Sequence, residues 1–548
     1  MQNGFIQQKN PTVLQKSYSD RPEARIPRSS FRRPMRHITD FPADYLIPIF
    51  CDIAYPADTI NAALNWVVRL KSPLDVPLMD NLYFDVFAIK TPLRILQDNF
   101  TKMHGERENP DDSIAYATPK ISAPAVTGFV IVDDWTNVTT SELASTLQDY
   151  IGLVPDVADY TVHNYYGRQY NKFYNDWIRD QNLQDSIVVD VDDGPDTYTD
   201  YVLKKRNKRH DYFTSCLPWL QKGAAEEISI GGKAPVTGIG HVDQTYGSAP
   251  GTVYETGGSA STSYASAQST ASASQVFIEQ DPDNTGFPGI FADLTQGTAF
   301  TLNSFFRGYA IQQLLMQDAR GGTRFIELVN SHFGVTVPDF RAQRTEIIRL
   351  GSYPMHVTPM VQTSETGTTE LGTIAANLAS VGQRAFKFIT SFVEHSAFMV
   401  LINVRADLTY QHGNHRNFYL DTRYDFYLPA LANLSEMAVL NQEIFVQGTT
   451  ADTDVFGYQE HWADMKFGYS RISGTLRSTN AVSLDIYHLA EEFASLPALG
   501  SSWIESNTPI ERVSAVTTEA PFVGDFYLDA TWARPLPMYS VPGIYNRF

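Results

Sequence analysis

Short apolar runs bounded by Pro, Gly or Asp dominate this chain. Between Pro42 and Ile95 they are LIPIF, INAALNWVVRL and LYFDVFAI, and TGFVIVDDW follows at 127–135. After residue 385 they are FKFITSFV, AFMVLINVRADLTY, DFYLPAL, VSLDIYHL and FVGDFYLDATWARPL. Apolar runs of this length between turn residues predict strands. Many strands in series, without a fixed-period repeat, predict a sandwich or barrel and not a propeller or solenoid.

A few segments have helical spacing instead. Ser141 is predicted to cap a short helix through Tyr150, and Ser304 to begin one that ends at Gly321. Thr323 is predicted to cap another helix, which Gly334 ends. An aromatic stripe at helical spacing is more typical of core than of a ligand platform, and here it consists of Tyr166, Tyr170, Phe173, Tyr174 and Trp177. The segment after Gly334 is too charged for a core helix and predicts a strap against a neighbouring surface; its arginines are Arg341, Arg344 and Arg349.

Two segments of opposite charge follow the aromatic stripe. Residues 190–200 read DVDDGPDTYTD, which favours a solvated acidic turn. A calcium loop needs its Gly later and a closing Glu, so a metal site on Asp190, Asp192 and Asp193 is the weaker alternative. The cations that follow are Lys204, Lys205, Arg206, Lys208 and Arg209. These cations either contact phosphates or neutralise the acidic turn, and the residues alone leave both open.

Catalytic and membrane functions find little support. The formal net charge of -19 argues against a free-standing nucleic-acid binder. Two cysteines exclude a disulfide framework, and His412 and His415 lie in a turn-forming segment with no acidic partner close by. The sequence contains no run of eighteen apolar residues, so it predicts no membrane span. A soluble glycan-binding protein or glycoside hydrolase stays open as the alternative, because the separation of paired carboxylates is a three-dimensional property.

Several separated motifs carry a family resemblance. They are GGTRFIE leading to FGVTVPDFRAQRTE, MDNLYFDVFAIKTPLRIL at 79–96, YNKFYNDWIRDQNL at 170–183, KKRNKRHDYFTSCLPWLQKG at 204–223, RADLTYQHG at 405–413, FGYQEHWADMKFGYSRISG at 456–474 and ARPLPMYSVPGI at 533–544. In this order they resemble the major capsid protein of microviruses, closest to the gokushovirus group. Thr345, Ile347 and Ile348 depart from the usual pattern, which affects contact details only.

The resemblance implies a mainly β fold: a viral jelly-roll β-sandwich with long loop insertions and a few short α-helices. It implies a structural protein, with no enzymatic activity and no cofactor, that closes a small T=1 icosahedral shell around single-stranded DNA. The implied partners are other copies of the chain, the packaged DNA, a scaffolding protein, a DNA pilot protein, a small basic packaging protein and a host cell-surface receptor. Membrane insertion is not expected. The implied location is the virion, assembled in the host cytoplasm.

The resemblance also divides the chain. Residues 1–40 are expected to form a basic N-terminal arm, 41–228 the first part of the jelly roll, and 299–548 its second part with helices and a C-terminal extension. Residues 229–298, rich in Gly, Ser, Ala and Thr, are expected to form a surface insertion that meets its copies at the threefold axis. Its contact candidates are Tyr246, Tyr254, Tyr264, Val276 and Phe277.

Two further groups of residues are predicted to make contacts in the shell. The DNA-facing candidates are Arg32, Arg33, Arg36, Lys204, Lys205, Arg206, Lys208 and Arg209. At least one of Arg341, Arg344 and Arg349 is expected to pair with a carboxylate of a neighbouring subunit. The insertion is expected to serve host attachment, with a purely structural cap as the alternative.

Overall fold

The computed structural model of the protein describes residues 27–71, 74, 76–122, 146–154, 160–224, 236–237, 251–254, 261–264, 291–292, 302–336, 338, 343–361, 374–432, 434–468, 470–514 and 520–539. Within them the strands are β1 (Ser29–Arg32), β2 (Met35–Phe41), β3 (Ile47–Ala54), β4 (Thr59–Leu70), β5 (Leu82–Pro92), β6 (Lys120–Ser122), β7 (Thr161–His163), β8 (Val236–Thr237), β9 (Gly251–Tyr254), β10 (Ser261–Tyr264), β11 (Phe291–Ala292), β12 (Glu346–Pro354), β13 (His356–Val361), β14 (Ile374–Ser391), β15 (Ser396–Ala406), β16 (Met437–Leu440), β17 (Val455–Gln459) and β18 (Phe522–Arg534). The helices are α1 (Leu93–Leu96), α2 (Phe100–Met103), α3 (Leu147–Ile151), α4 (Tyr165–Phe173), α5 (Leu302–Arg320), α6 (Phe325–Phe333), α7 (Asn441–Ile444), α8 (Ala463–Lys466) and α9 (Ser501–Ile504).

Two antiparallel sheets form the centre of the fold. The larger has the order β1-β18-β4-β14-β13, with β2 also paired to β18, and the smaller has the order β12-β5-β15-β3. The last described strand, β18, lies between β4 and the first two described strands, β1 and β2, so strands far apart in sequence are neighbours in one sheet. Two such sheets with interleaved strand order make a jelly roll, as predicted.

Aromatic side chains fill the space between the sheets. Trp66 of the larger sheet lies with its ring centroid 5.3 Å from that of Phe84 and 4.7 Å from that of Tyr353, both of the smaller sheet. Phe526 stacks on Phe84 at 6.1 Å. A Cβ at Gly382 would lie 2.3 Å from the Trp66 ring. Only glycine therefore fits opposite this tryptophan.

The outer side of the smaller sheet is covered by helices. The aromatic stripe predicted as core is confirmed, since Tyr170 and Phe173 of α4 are fully buried. Phe87 of β5 contacts Phe173 with ring centroids 5.8 Å apart. A second apolar cluster lies in the long connections and includes Tyr212, Tyr410 and Trp503. The insertions between strands therefore carry a core of their own.

The chain separates into two compact units. One consists of residues 1–220 and 323–548 and contains both large sheets; the other consists of Gln221–Gly322. The second unit contains α5, the hairpin of β9 and β10, and the pair of β8 and β11. The insertion boundaries 229–298 fall within this unit and stay a prediction.

Several local predictions need correction. DFYLPAL and VSLDIYHL form short 3-10 turns and not strands, whereas β16 and β17 were not predicted. The arginine-rich segment after Gly334, predicted as a strap, forms strand β12 from Glu346 onward, because its backbone pairs with β5 at the sheet edge. Helix α6 is confirmed and ends at Gly334, but its N-cap is Arg324, not Thr323. The strand predicted at 127–135 lies outside the described residues.

Candidate genome-facing and subunit-facing surfaces

The described end of the predicted basic arm is part of the larger sheet. Arg32 on β1 donates from Nε to Asp529 Oδ1 at 3.0 Å, and Arg36 on β2 makes two hydrogen bonds to Asp525 at 2.9 and 2.6 Å. The hydrogen bond from Arg36 lowers the pKa of Asp525, so both partners are charged at neutral pH. Arg33 points the other way, to Asp52 at 2.6 Å. Pairing with β18 thus fixes Arg32 and Arg36 on one face of the sheet.

The exposed side of the larger sheet carries a group of basic side chains. Alternate residues of a strand share a face, and on this face, called here the basic sheet face, lie Arg28, Arg32, Arg36, Arg69, Arg384 and Lys387. The carboxylates among them are Asp525 and Asp529, and Asp40 pairs with Lys71 at 3.6 Å. Arg69, Arg384 and Lys387 were not predicted from the sequence. Strand alternation could have placed Arg69 and Lys387, but the bulge of β14 before Phe386 hid the position of Arg384.

The cluster Lys204–Arg209 lies on the opposite layer of the sandwich. Arg206 pairs with Asp85 on the outer side of β5, and Lys208 pairs with Glu491 at 3.1 Å, its ammonium 4.2 Å from the centroid of the Trp503 ring. Both cations are therefore neutralised inside the fold. Lys205 lies 5.5 Å from the centroid of the Tyr45 ring.

Arg209 is the exposed member of that cluster. It lines a cavity of about 240 Å³ together with His210 and Arg405, and with Asp211 and Asp407. The two carboxylates balance much of the positive charge around this cavity. DNA contact by Lys204–Arg209 stays a prediction. Because this cluster and the basic sheet face lie on different layers, they do not form one continuous surface.

The acidic turn is a hydrogen-bonded structure. Asp190 accepts from Tyr201 Oη at 2.8 Å, Asp192 accepts from Arg168 Nη2 at 3.2 Å, and Asp193 accepts from Asn99 Nδ2 at 3.1 Å. Each carboxylate thus serves a different donor. Within the described residues no group of three or more His, Cys, Asp or Glu side chains is placed to hold a metal ion.

Two of the three arginines predicted to contact another subunit make contacts within their own chain. Arg344 lies with its guanidinium carbon 4.0 Å from the centroid of the Trp177 ring. Arg349 donates to the carbonyl oxygen of Lys387 and lies 5.3 Å from the centroid of the Phe386 ring. Arg341 lies outside the described residues. An intersubunit role for this group stays a prediction.

Comparison with known proteins decides the family. The family model described as "Capsid protein (F protein)" matches residues 19–544. The chain is 39% identical to capsid protein VP1 of Bdellovibrio phage phiMH2K, over 97% of this chain and 98% of that protein. It is 34% identical to capsid protein VP1 of Chlamydia phage 1, over 98% and 99%, and 34% identical to that of Spiroplasma virus 4, over 95% and 96%.

The chain belongs to this phage capsid protein family. The predicted membership in the microvirus major capsid proteins is confirmed. This capsid protein is a structural component of the virion that assembles into a shell of many subunits, and it is not an enzyme. The alternative of a glycan-binding protein or glycoside hydrolase is not supported. Among its described residues, no helix has the length and apolar character that a membrane span needs.

The insertion residues of this capsid protein are only partly described. Tyr254 and Tyr264 are the last residues of β9 and β10. Because the strands are antiparallel, Tyr254 pairs with Ser261 and Tyr264 pairs with Gly251, at opposite ends of the strand pair. Tyr246, Val276 and Phe277 lie outside the described residues. Threefold contact by this group stays a prediction.

Proposed function

We propose that this capsid protein closes a T=1 icosahedral shell in which the basic sheet face lines the inside and contacts single-stranded DNA. The observation that carries the proposal is the concentration of Arg28, Arg32, Arg36, Arg69, Arg384 and Lys387 on one side of one sheet, in a chain with a net charge of -19. A shell of such chains repels DNA unless its cations are gathered on the inner surface.

The side chains between the cations also suit a single strand. Tyr527, Val67 and Val381 are exposed on the same face, near Arg36 and Asp525. Single-stranded nucleic acid is held by backbone cations together with aromatic side chains on which bases stack. The basic sheet face offers both kinds of contact, with the arginines already oriented by Asp525 and Asp529.

Replacing Arg32 and Arg36 with glutamine is expected to weaken genome retention. Arg384 still pairs with Asp529 at 3.2 Å, and Asp525 is accessible to water, so the fold should be unaffected. Each lost phosphate contact reduces the salt slope of single-strand binding by about 0.7. Two contacts should lower it by about 1.4, measured as DNA binding by dissociated subunits across a salt series.

The matched control is Lys102→Gln with Arg107→Gln, which removes the same charge on α2 and in the segment after it. This pair is expected to keep the wild-type slope. Equal slopes for both double variants would show that only total charge matters and would contradict contact at the basic sheet face.

The insertion at 229–298 is proposed to project at the threefold axis and to attach the particle to its host receptor. Its Gly, Ser, Ala and Thr content supports a surface position, since such a segment buries little apolar area. Deleting residues 255–275 should leave particle yield unchanged and reduce adsorption to host cells. A variant with the same 21 residues in scrambled order controls for length. Unchanged adsorption after the deletion contradicts attachment, and absent particles place the segment in the shell itself.

The remaining partners in this proposal rest on the family resemblance. They are a scaffolding protein, a DNA pilot protein and a small basic packaging protein, with assembly in the host cytoplasm. A basic packaging protein would bind both the DNA phosphates and the Asp and Glu side chains of the shell, and would therefore supply positive charge that a chain of net charge -19 lacks.

A further inference from the structure

A group of aromatic and thioether side chains is exposed on the loops that follow β15. Their relative exposures are 73% for Phe418, 71% for Tyr424, 56% for Phe426, 45% for Tyr427, 64% for Met465 and 46% for Phe467. We call this group the aromatic surface. Phe and Tyr usually bury most of their area in a folded protein. So much exposed aromatic area is therefore an unusual feature of a folded subunit.

The two stretches of chain that carry these side chains contact each other. Tyr427 contacts Trp462 edge-on, with ring centroids 5.3 Å apart. The indole Nε1 of Trp462 donates to the carbonyl oxygen of Leu431 at 3.0 Å. Trp462 immediately precedes α8, which contains Met465, and the amide of Phe467 donates to Ala463 O at 2.9 Å. The two stretches are thus locked together through one tryptophan.

The backbone of the aromatic surface is well ordered by its own hydrogen bonds. Asp425 accepts from the amide of Thr422 at 2.7 Å and from its hydroxyl at 2.8 Å, and these bonds lower the pKa of Asp425. Arg416 Nη1 donates to buried Glu443 at 3.0 Å. The exposed rings therefore project from a rigid base, which reduces the entropy lost on binding.

The exposed area matches what a protein interface needs. An aromatic side chain contributes roughly 150–250 Å², so six side chains exposed by about half or more present on the order of 600–800 Å². The largest apolar patch of a typical monomer is about 300–600 Å². A standard interface takes about 800 Å² from each partner. The aromatic surface alone approaches one side of such an interface.

The charge of the aromatic surface suits contact between identical chains. Residues 416–434 contain Arg416 and Arg423 against Asp421 and Asp425, and residues 462–467 contain Lys466 against Asp464. Both stretches are formally neutral. Two copies of a chain with net charge -19 repel each other, so their contacts form best where the surface is neutral and apolar. DNA or a basic peptide would instead select a charged surface.

We propose that the aromatic surface is a subunit–subunit contact, buried by a second copy of this chain when the shell forms. The inference rests on the capsid function and is independent of which face meets the DNA. It also explains why DFYLPAL resembles a buried strand in sequence: its apolar side chains are covered in the shell and not in the subunit.

The test replaces Tyr424 and Phe426 with serine in the full chain. Both side chains are largely exposed, so the unassembled subunit should keep its thermal unfolding midpoint. Particle yield, measured by sedimentation and electron microscopy, should fall by at least about tenfold, because aromatic side chains dominate interface energies. The matched control is Met79→Ser with Val393→Ser, which removes apolar side chains exposed by 82% and 87% outside the aromatic surface. The control should assemble normally.

Radical footprinting of unmodified particles gives a second measurement. Oxidation of Met465 and Tyr424 should fall at least about fivefold in particles compared with dissociated subunits, as burial excludes the reagent. Normal particle yield from the serine variant, or equal oxidation in both states, would overturn the proposal. So would normal particles with reduced DNA content or reduced adsorption, which would assign the surface to the genome or to the host. If the control pair loses particles to the same extent, the effect is not specific to the aromatic surface, and the proposal fails.

Discussion

Replacing Arg168 with methionine is expected to destabilise the subunit more than any exposed substitution. Arg168 on α4 is fully buried and donates to Asp196, to the carbonyl oxygens of Leu96 and Asp192 at 2.8 Å each, and to the Asp192 carboxylate. Its loss leaves the Asp196 carboxylate buried with only Asn164 as a described donor side chain, at 2.6 Å. An uncompensated buried charge costs about 3–5 kcal/mol. Urea unfolding of dissociated subunits measures this loss.

Arg36→Met is the matched control, because Arg36 also makes a two-bonded pair with a carboxylate, but at the surface. Exposed ion pairs contribute little to stability because water screens them, so this variant should lose far less free energy of unfolding than Arg168→Met. If both variants lose the same free energy of unfolding, the acidic turn is not anchored by Arg168. If only Arg168→Met lowers the free energy of unfolding substantially, the turn at 190–200 holds α1 and α4 together through Arg168.

The sandwich itself was predictable from the sequence, and the reason is local. Runs such as INAALNWVVRL and LYFDVFAI are apolar over strand length, and they form β4 and β5 almost to the residue. DFYLPAL has the same apolar content, but its Pro429 and its place among 3-10 turns leave Tyr427 half-exposed. Period and apolarity cannot distinguish a side chain buried by its own fold from one that another copy covers.

The ion pairs made by the charged clusters could not be predicted, because their partners are distant in sequence. Arg206 and Lys208 look like free cations in KKRNKRH, yet their carboxylates, Asp85 and Glu491, come from remote parts of the chain. The same holds for the basic sheet face, where Arg32 meets Arg384 only because both contact Asp529. Strand register decides these contacts, and a single sequence does not reveal register.

Asp85→Asn is expected to cause the second large loss in the subunit's free energy of unfolding. Asp85 is buried and is shared by Arg206 and Arg405, with 2.9 Å to Arg405 Nε. Burial alone would raise the pKa of Asp85, but the two guanidinium groups outweigh it and hold the pKa below its ordinary value. The amide leaves two largely buried cations without this carboxylate, which costs about 3–5 kcal/mol at neutral pH. Urea unfolding of dissociated subunits at pH 7 measures the cost.

The pH dependence of that cost separates a charge effect from a packing effect. Because the folded-state pKa lies below the unfolded value of about 3.8, the carboxylate contributes its full stability above pH 4 and loses it as pH falls through the folded pKa. The difference between wild type and Asp85→Asn should therefore be constant from pH 7 to about pH 5 and should shrink below about pH 4. Asp407→Asn, which removes the weaker partner of Arg405 at 3.5 Å, should cost less than about 1 kcal/mol at pH 7. A wild-type advantage over Asp85→Asn that persists unchanged into acid would mean that shape, and not charge, makes Asp85 necessary between the two arginines.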